Sequence, residues 1–385
     1  MKTIIIPSPF QIDMDDIGWW CGSDDRKIGG PSRTGMPRPH LVSDYQAVAD
    51  LGEALKMKIN CSLVLGEWDM ENRLGKEIPN FSHYGENWNN AAYRDKKAMA
   101  EAVEIMNNSP YLDVSLHALY HGYYMPGVSN HDVSDFYYPK DGEYFMVPES
   151  EVRLRLDHFF RLYEEHKMTT PIRCFISPSG AYRGFELSAI MKDYGIKYIA
   201  TNFDFLNTFT PHPEDEPFDT VLVENDIITL AENRVTRAGD PKDFVQWDIV
   251  DVDLDQYDTI FGTVTTHWPN YLSMNPEDQA ATLKKQLPYF KRCANTYGIV
   301  MSRDIGFAAT QELYKKYSKL EQIEDTWVID LTDVPETSGR LDTFFITTKT
   351  LPVKFENCTL GEVQEKTGFI NYEIKPEGKI VKIYF

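Results

Sequence analysis

The stretch "SDYQAVADLGEALKMKINCSLVLGEW", residues 43–68, places a helix directly before an apolar strand. Ser43 or Asp44 is a side chain typical of a helix N-cap, and residues 43–58 continue as helix. The run "INCSLVLGEW" then predicts a buried strand that ends in Glu67 and Trp68. Helices that alternate with buried strands indicate a parallel sheet covered by helices, so this unit predicts an α/β fold.

The same unit repeats on both sides of this stretch. Before it, "TIIIPSPFQI" (residues 3–12) predicts a first strand. After it, strands are predicted at 111–122, 171–180, 196–202, 218–225 and 258–268, and helices at 95–108, 148–167, 184–195 and 276–295. A closed, distorted (β/α) barrel and an open doubly wound sheet both satisfy this alternation.

The texture changes from about Thr326 to short alternating runs such as "LDTFFITTKT" and "GKIVKIYF". Such runs are typical of antiparallel strands. We therefore predict an α/β catalytic domain over residues 1–320 and a small β-rich module over residues 321–385.

Composition and charge restrict the class of partner. The formal net charge of −20 argues against a nucleic-acid groove, which needs a basic surface, and against an anionic membrane. No run approaches the roughly 18 apolar residues of a membrane helix, and "MKTIIIPSPF" is too short for a signal sequence. The five cysteines form no CxxC pair. We expect a cytoplasmic protein with a small substrate; a signal peptide already removed and a homo-oligomer both stay open.

Polar side chains recur where the predicted strands end. In both α/β architectures chemistry gathers at the carboxyl ends of the strands, so these side chains are expected to converge. They are Asp13, Asp15 and Asp16 after the first strand, Glu67 and Trp68, His117 and His121, Ser177, Asn202 and Asp204, and finally His267 and Trp268.

Two parts of this set have the composition of a metal site. Asp15 and Asp16 are adjacent carboxylates that repel one another unless a cation lies between them, although a solvated turn is the simpler alternative. His117 and His121 have an HxxxH spacing that allows two imidazoles to bind one metal ion, although surface or capping histidines show it too. Histidine ordinarily ionises near neutral pH, which suits a general acid, so His267 is a candidate for that role, and a buried histidine bonded to a backbone carbonyl is the alternative.

These residues, in this order, resemble the polysaccharide deacetylase (NodB-homology) family, carbohydrate esterase family four. The matching segments are "MDDIG", "HALYH" and "TVTTH". The resemblance implies a distorted (β/α) barrel, a divalent metal, most often zinc, bound by Asp16, His117 and His121, and Asp15 as general base. It also implies that His267 is the catalytic acid and that an acetyl group is removed from a carbohydrate or small amide.

The sequence departs from the family on the substrate side. In "FISPSGAYRGFE", Ile176 and Ser179 stand where the family has Arg and an aromatic residue, and Ala118 replaces the usual Ser or Thr of "HALYH". The arginine that would hold Asp15 is therefore missing from its place. Arg173, Arg183 or Asp13 are the candidates to replace it. Trp247 is the candidate for the family's fourth motif.

Two long loops, residues 68–92 and 118–147, are rich in aromatic side chains. Long loops in α/β domains often form binding walls, and aromatic faces suit sugar rings, but the same rings could equally form a loop core. The predicted substrate-binding residues are Trp19, Glu67, Trp68, Tyr124 and Trp268.

Two other classes of function stay open. A glycoside hydrolase would use a carboxylate pair without an essential metal, with Asp15 or Asp204 acting together with Glu67. A non-catalytic carbohydrate-binding protein would use the aromatic loops alone.

Overall fold

A ring of seven parallel strands forms the centre of the molecule. The computed structural model describes residues 3–18, 40–82, 84–91, 94–125, 134–141, 143–178, 185–201, 220–234, 262–267 and 270–385. Up to residue 301 the strands are β1 (Ile4–Ile5), β2 (Ser8–Ile17), β3 (Ile59–Val64), β4 (Leu112–Ala118), β5 (Tyr137–Lys140), β6 (Glu143–Met146), β7 (Cys174–Ile176), β8 (Tyr198–Thr201), β9 (Val221–Glu224), β10 (Ile227–Arg234), β11 (Gly262–His267) and β12 (Ile299–Met301).

Strand β11 closes the ring by pairing with β2. The parallel order is β2-β3-β4-β7-β8-β10-β11, and β11 returns to β2 with His267 opposite Asp15 in the register. The predicted distorted (β/α) barrel is confirmed, and the open sheet is wrong, because the pairing of β11 with β2 leaves none of the seven parallel strands at an edge. Strand β9 adds to β10 in antiparallel orientation, and β12 adds to the start of β2.

Strand β2 is longer and lies later than predicted. It includes Asp13, Asp15 and Asp16, which were expected to follow the strand, and nearly all of its residues are buried. The predicted single strand 3–12 is instead divided at Ile6 and Pro7, because proline has no N–H to donate to a strand ladder. The first piece, β1, leaves the barrel and pairs with the C-terminal region.

Helices connect and cover the barrel strands. They are α1 (Val42–Leu55), α2 (Leu74–Glu77), α3 (Lys96–Asn108), α4 (Glu149–Glu165), α5 (Phe185–Asp193), α6 (Gln279–Ala294) and α7 (Ile305–Tyr317). The predicted cap of α1 is wrong by two or three residues. Leu41 is the N-cap, and the Asp44 carboxylate accepts a hydrogen bond from the Leu41 N–H at 2.8 Å.

Helix α7 was not predicted, and it joins the barrel to the C-terminal region. Asp304 caps it, and its residues are buried from Ile305 to Tyr314. Ala309 and Leu313 pack against barrel strands in one apolar cluster, whereas Tyr314 belongs to the core of the C-terminal sheets. A helix with apolar contacts on two sides lacks the single apolar stripe that identifies a helix in sequence.

The C-terminal region is β-rich, as predicted. Its strands are β13 (Lys319–Ile323), β14 (Thr326–Asp330), β15 (Phe344–Thr348), β16 (Lys354–Glu356), β17 (Cys358–Lys366), β18 (Phe369–Pro376) and β19 (Ile380–Tyr384). They form two four-stranded sheets, β1-β15-β18-β17 and β13-β14-β19-β16. The domain boundary at residue 320 stays a prediction. None of the described helices combines the length and apolar composition that crossing a membrane requires.

Candidate metal centre

Four predicted site residues converge on the carboxyl end of the barrel. Asp16 lies in β2, His117 in β4 and His267 at the end of β11, and His121 follows β4 directly. Asp16 Oδ1 is 3.5 Å from His117 Nε2 and 3.9 Å from His121 Nε2. Asp16 Oδ2 is 3.5 Å from His267 Nε2. One carboxylate therefore has imidazoles facing both of its oxygens.

The backbone bends sharply at two of these residues. Asp16 has φ of 63° and His121 has φ of 61°, in the left-handed region that side chains other than glycine rarely adopt. Such strained residues persist only where their surroundings hold them, and they cluster at functional sites. At both residues the bend turns the side chain toward the same point at the carboxyl end of the barrel.

Asp16 is fully buried, and neither of its carboxylate oxygens has a hydrogen-bond partner. Burial alone would raise the pKa of this carboxyl, but His117, then His121 and His267, hold the pKa well below its usual value. The pKa of His117 moves in the opposite direction: burial would lower it, but the Asp15 and Asp16 carboxylates raise it. The cluster therefore favours positive charge among its carboxylates and imidazoles.

The donor set fits a divalent metal ion. One ligand atom each from Asp16, His117 and His121 lie within 4.8 Å of one another, and all three residues are buried. Two ligand atoms at about 2.0–2.1 Å from a tetrahedral zinc ion lie roughly 3.3 Å apart. The 3.5 Å and 3.9 Å separations, too long for direct hydrogen bonds, are close to this spacing.

The orientation of His117 also suits a ligand. Its Nδ1 lies 2.9 Å from the carbonyl oxygen of Ile176, so Nδ1 carries the proton and donates it. Nε2, which faces Asp16, is then the ring nitrogen that would bind a metal ion. In metal-binding histidines, a hydrogen bond donated by the ring nitrogen that does not bind the metal fixes the tautomer. Ile176, which stands where an arginine was expected, contributes this carbonyl.

Two hydroxyl groups hold the predicted base, Asp15. Ser62 Oγ donates to Asp15 Oδ1 at 2.8 Å, and Thr265 Oγ1 donates to Asp15 Oδ2 at 3.0 Å. Of the candidates to replace the missing arginine, Arg173 instead lies 3.6 Å from Asp113. Asp13 accepts from Asn60 Nδ2 at 3.0 Å, and Arg183 lies outside the described residues.

His267 lies on the other side of Asp16 from the first two histidines. It is partly exposed, unlike His117 and His121, and its backbone N–H donates to Asn270 Oδ1 at 3.0 Å. A histidine that faces both a buried carboxylate and solvent can reach a substrate atom. This position is compatible with the predicted role of proton donor.

The structure describes three of the five predicted substrate-binding residues, which are Glu67, Trp68 and Tyr124. Glu67 is fully buried, with its carboxylate 2.9 Å from Arg94 Nη2, and the fully buried Trp68 indole donates to the Gly18 carbonyl at 2.9 Å. Tyr124 is half-buried against the core. Trp19 and Trp268 lie outside the described residues, as do Asn202, Asp204, Ser179 and Trp247. In this conformation Glu67 and Trp68 present no surface to a substrate, so their roles stay predictions.

Several aromatic side chains of the two long loops pack in a buried core and do not line an open binding surface. Phe81, Trp88 and Tyr120 are buried, and their ring centroids lie 4.7–4.9 Å apart. Tyr123 is buried as well and stacks on Tyr138 at 5.2 Å. These rings stabilise the loops that surround the barrel mouth.

The comparisons with known proteins are distant. No family model and no curated protein matches this chain. One similar solved structure is a mutant of a CE4 family pseudoenzyme with restored enzymatic activity, at 12% identity over 79% of this chain and 68% of that chain, with a TM-score of 0.34. A family 4 carbohydrate esterase from Streptomyces lividans matches at 11% identity over 76% of this chain and 91% of that chain, with a TM-score of 0.29.

A third similar structure belongs to another class of enzyme. The GH57-type branching enzyme from Pyrococcus horikoshii matches at 14% identity over 77% of this chain and 69% of that chain, with a TM-score of 0.41. Similarities at these identities and TM-scores carry no inference about the chemistry of this chain. The strand pairings themselves define the barrel.

Proposed function

We propose that this protein is a metal-dependent hydrolase that removes an acetyl group from a carbohydrate or a small amide. The observation that carries the proposal is the buried Asp16 carboxylate, whose two oxygens lack hydrogen bonds and face three imidazoles. Burying a carboxylate without hydrogen bonds is costly unless a cation or a protonated group compensates it. A zinc ion bound by Asp16, His117 and His121 would supply that compensation.

A bound divalent metal would supply Lewis acidity to a substrate carbonyl and make water more acidic. Asp15 then acts as the general base and accepts a proton from the attacking water. The hydroxyl groups of Ser62 and Thr265 orient its carboxylate while leaving lone pairs on both oxygens for that proton. Oxygen adds to the acetyl carbon, and the bond to the amine or alcohol breaks.

His267 acts as the general acid at the end of the reaction. It donates a proton from its imidazole to the departing nitrogen or oxygen, so that acetate and the deacetylated product leave. Its place opposite Asp15 in the register of β2 and β11 puts base and acid on neighbouring strands. Proton removal and proton return thus come from two different side chains.

The metal-independent glycoside hydrolase is the weaker proposal. It requires two carboxylates that both reach the substrate at a defined separation. Glu67, one of the two predicted carboxylates, is buried and paired with Arg94. This pairing favours a structural role for Glu67 over a catalytic one.

Acetate release tests the proposal. The protein, stripped with a chelator and reloaded with Zn²⁺, is incubated with N-acetylated and O-acetylated sugars and with simple acetamides. We expect release by the reloaded protein, loss after stripping and loss in Asp15→Asn. Asp50→Asn, an exposed position on α1, is the control and should keep full activity. Release that survives stripping, or that Asp15→Asn does not reduce, would exclude the mechanism.

A further inference from the structure

A buried carboxylate, Asp135, contacts the turn that presents His121. Asp135 Oδ2 accepts hydrogen bonds from the backbone N–H of His121 at 2.8 Å and of Tyr120 at 3.1 Å. Asp135 is fully buried. It was not among the predicted site residues, and these two hydrogen bonds join it to the backbone of the turn and not to an imidazole ring.

Arg155, on α4, lies behind this carboxylate. Its Nε is 3.7 Å from Asp135 Oδ1, and only 1% of each side chain is exposed. Arg155 Nη2 also donates to the Pro79 carbonyl at 2.6 Å, and its guanidinium lies 5.1 Å from the centre of the Tyr123 ring. Arg155 therefore ties Asp135 to α4 and to the loop that contains Pro79.

The turn after β4 needs such a support. His121 has a positive φ, and Ala118, at the end of β4, has no side-chain group that could donate or accept a hydrogen bond. A strained backbone is kept only by contacts that outweigh its cost. Two charge-assisted bonds from backbone N–H groups to one carboxylate are contacts of the required kind.

We propose that Asp135, fixed by Arg155, is the positioning residue that aims His121 at Asp16 and so sets the affinity of the site for a metal ion. The inference rests on the proposed function, since it assigns His121 as a ligand. Outer groups that orient a ligand typically change metal affinity about 10- to 100-fold when they are mutated. Asp135 would act through the backbone of the ligand rather than through its ring.

A pair of variants separates positioning from a merely structural ion pair. Asp135→Asn removes the negative charge that strengthens both backbone hydrogen bonds, and also the second oxygen, Oδ1, which accepts from the Tyr120 N–H at 3.3 Å. It leaves the buried Arg155 charge with Glu151, 3.6 Å from Nη1, in place of Asp135. The double variant Asp135→Asn/Arg155→Met removes that charge as well, so it should regain much of the stability that the single variant loses. Positioning, in contrast, is lost in both.

The measurements are the Zn²⁺ dissociation constant, from competition with a chromogenic chelator, and the visible spectrum of the Co²⁺-loaded protein. We expect Zn²⁺ binding to weaken about 10- to 100-fold in both variants, with an altered Co²⁺ spectrum, even where the double variant regains stability. The control is Glu373→Gln, since Glu373 likewise accepts from a backbone N–H, that of Glu362, and pairs with an arginine, Arg303, far from the site. It should lose stability and keep wild-type Zn²⁺ affinity.

Each outcome has a distinct meaning. If the double variant regains both stability and Zn²⁺ affinity, the pair is structural and the inference fails. If both variants bind Zn²⁺ as the wild type does, the inference also fails while the proposed function stands. If the wild-type protein itself binds no Zn²⁺, the proposed function fails, and the role of Asp135 fails with it.

Discussion

Strand β2 carries two fully buried aspartates whose surroundings have opposite effects. Asp16, at the carboxyl end, faces His117, His121 and His267. Asp13, three positions deeper in the barrel, accepts a hydrogen bond from the Asn60 amide and has other carboxylates near it. Burial raises the pKa of Asp13 well above its usual value, the Asn60 amide opposes this, and Asp15 and Asp113 add to it.

The difference shows that partners, rather than burial, decide the charge of a carboxylate in this barrel. Both aspartates have no exposed surface. The imidazoles keep Asp16 ionised, as a metal ligand must be. Burial and the carboxylates of Asp15 and Asp113 shift Asp13 toward the neutral acid, which suits a protein interior and does not attract a metal ion. The carboxyl end of the barrel, at Asp16, thus favours a nearby positive charge, whereas the surroundings of Asp13 favour the neutral acid.

The largest expected effect is a difference in activity between variants of these two aspartates. Asp16→Asn removes a ligand and should lower the rate of acetate release by more than about 100-fold, beyond the loss typical of an outer support. Asp13→Asn replaces a carboxyl group whose raised pKa favours the neutral acid by a neutral amide of the same shape, and it should react at nearly the wild-type rate. Both rates are measured on the substrate that the wild type deacetylates. Equal losses of rate in both variants would contradict the different roles assigned to Asp16 and Asp13.

His267 gives the next largest effect. His267→Asn should reduce the turnover number by about 100- to 10,000-fold, because a positioned general acid contributes this much, while the metal stays bound. The readouts are acetate release and metal content on the same preparation. His158→Asn, on α4 and 3.6 Å from Glu77, is the control histidine and should change neither. Loss of metal from His267→Asn would make His267 a ligand instead of an acid.

A smaller effect is expected from the hydroxyl groups that hold Asp15. Ser62→Ala or Thr265→Val should each lower the turnover number roughly 10- to 100-fold, since a hydrogen bond to a charged group contributes about 1.5–3 kcal/mol. Metal content should not change. Thr347→Val, at a buried threonine that bonds to Asn371 in the C-terminal region, is the matched control. Full activity in both site variants would mean that Asp15 needs no such support.

The arrangement of the site could be predicted from sequence where its side chains lie at or near the carboxyl ends of strands. Asp15, Asp16, His117, His121 and His267 were found because parallel strands bring their carboxyl ends together. Ser62 and Thr265 were missed, since isolated hydroxyls in strands have no pattern of their own. The alternation of side chains offers one signal: Thr265 lies two residues before His267 and so points to the same side of β11.

Other features depend on tertiary contacts that no local pattern encodes. Asp135 lies in a loop, 14 residues after His121, and only the folded chain brings its carboxylate to that backbone. The barrel closes because β11 pairs with β2, which joins residues about 250 positions apart in the chain, such as His267 and Asp15. The aromatic composition of residues 68–92 and 118–147 predicts a binding wall or a loop core. Which of these rings are buried, as Trp68 and Tyr120 are, depends on packing in the folded chain.

The smallest expected effect concerns stability at the level of Asp13. Because its pKa is raised in the folded state, the stability contributed by its protonated form is complete below the unfolded pKa, near 3.9, and declines as the pH rises toward the folded pKa. Asp13→Asn lacks this dependence. Its free energy of unfolding should therefore rise relative to that of the wild type between pH 4 and pH 8. Urea titrations at both pH values measure it, and an unchanged difference would contradict the neutral state of Asp13.

Metal content per chain is the most direct test of a metal centre at Asp16, His117 and His121. Wild-type protein, Asp16→Asn and Asp13→Asn, all purified without a histidine tag, are compared by inductively coupled plasma mass spectrometry after loading with Zn²⁺ and removal of the excess. We predict about one zinc ion per chain in the wild type and in Asp13→Asn, and none in Asp16→Asn, because only Asp16 faces the imidazole ligands. A wild type without zinc, or an Asp16→Asn variant that retains it, would contradict the metal centre.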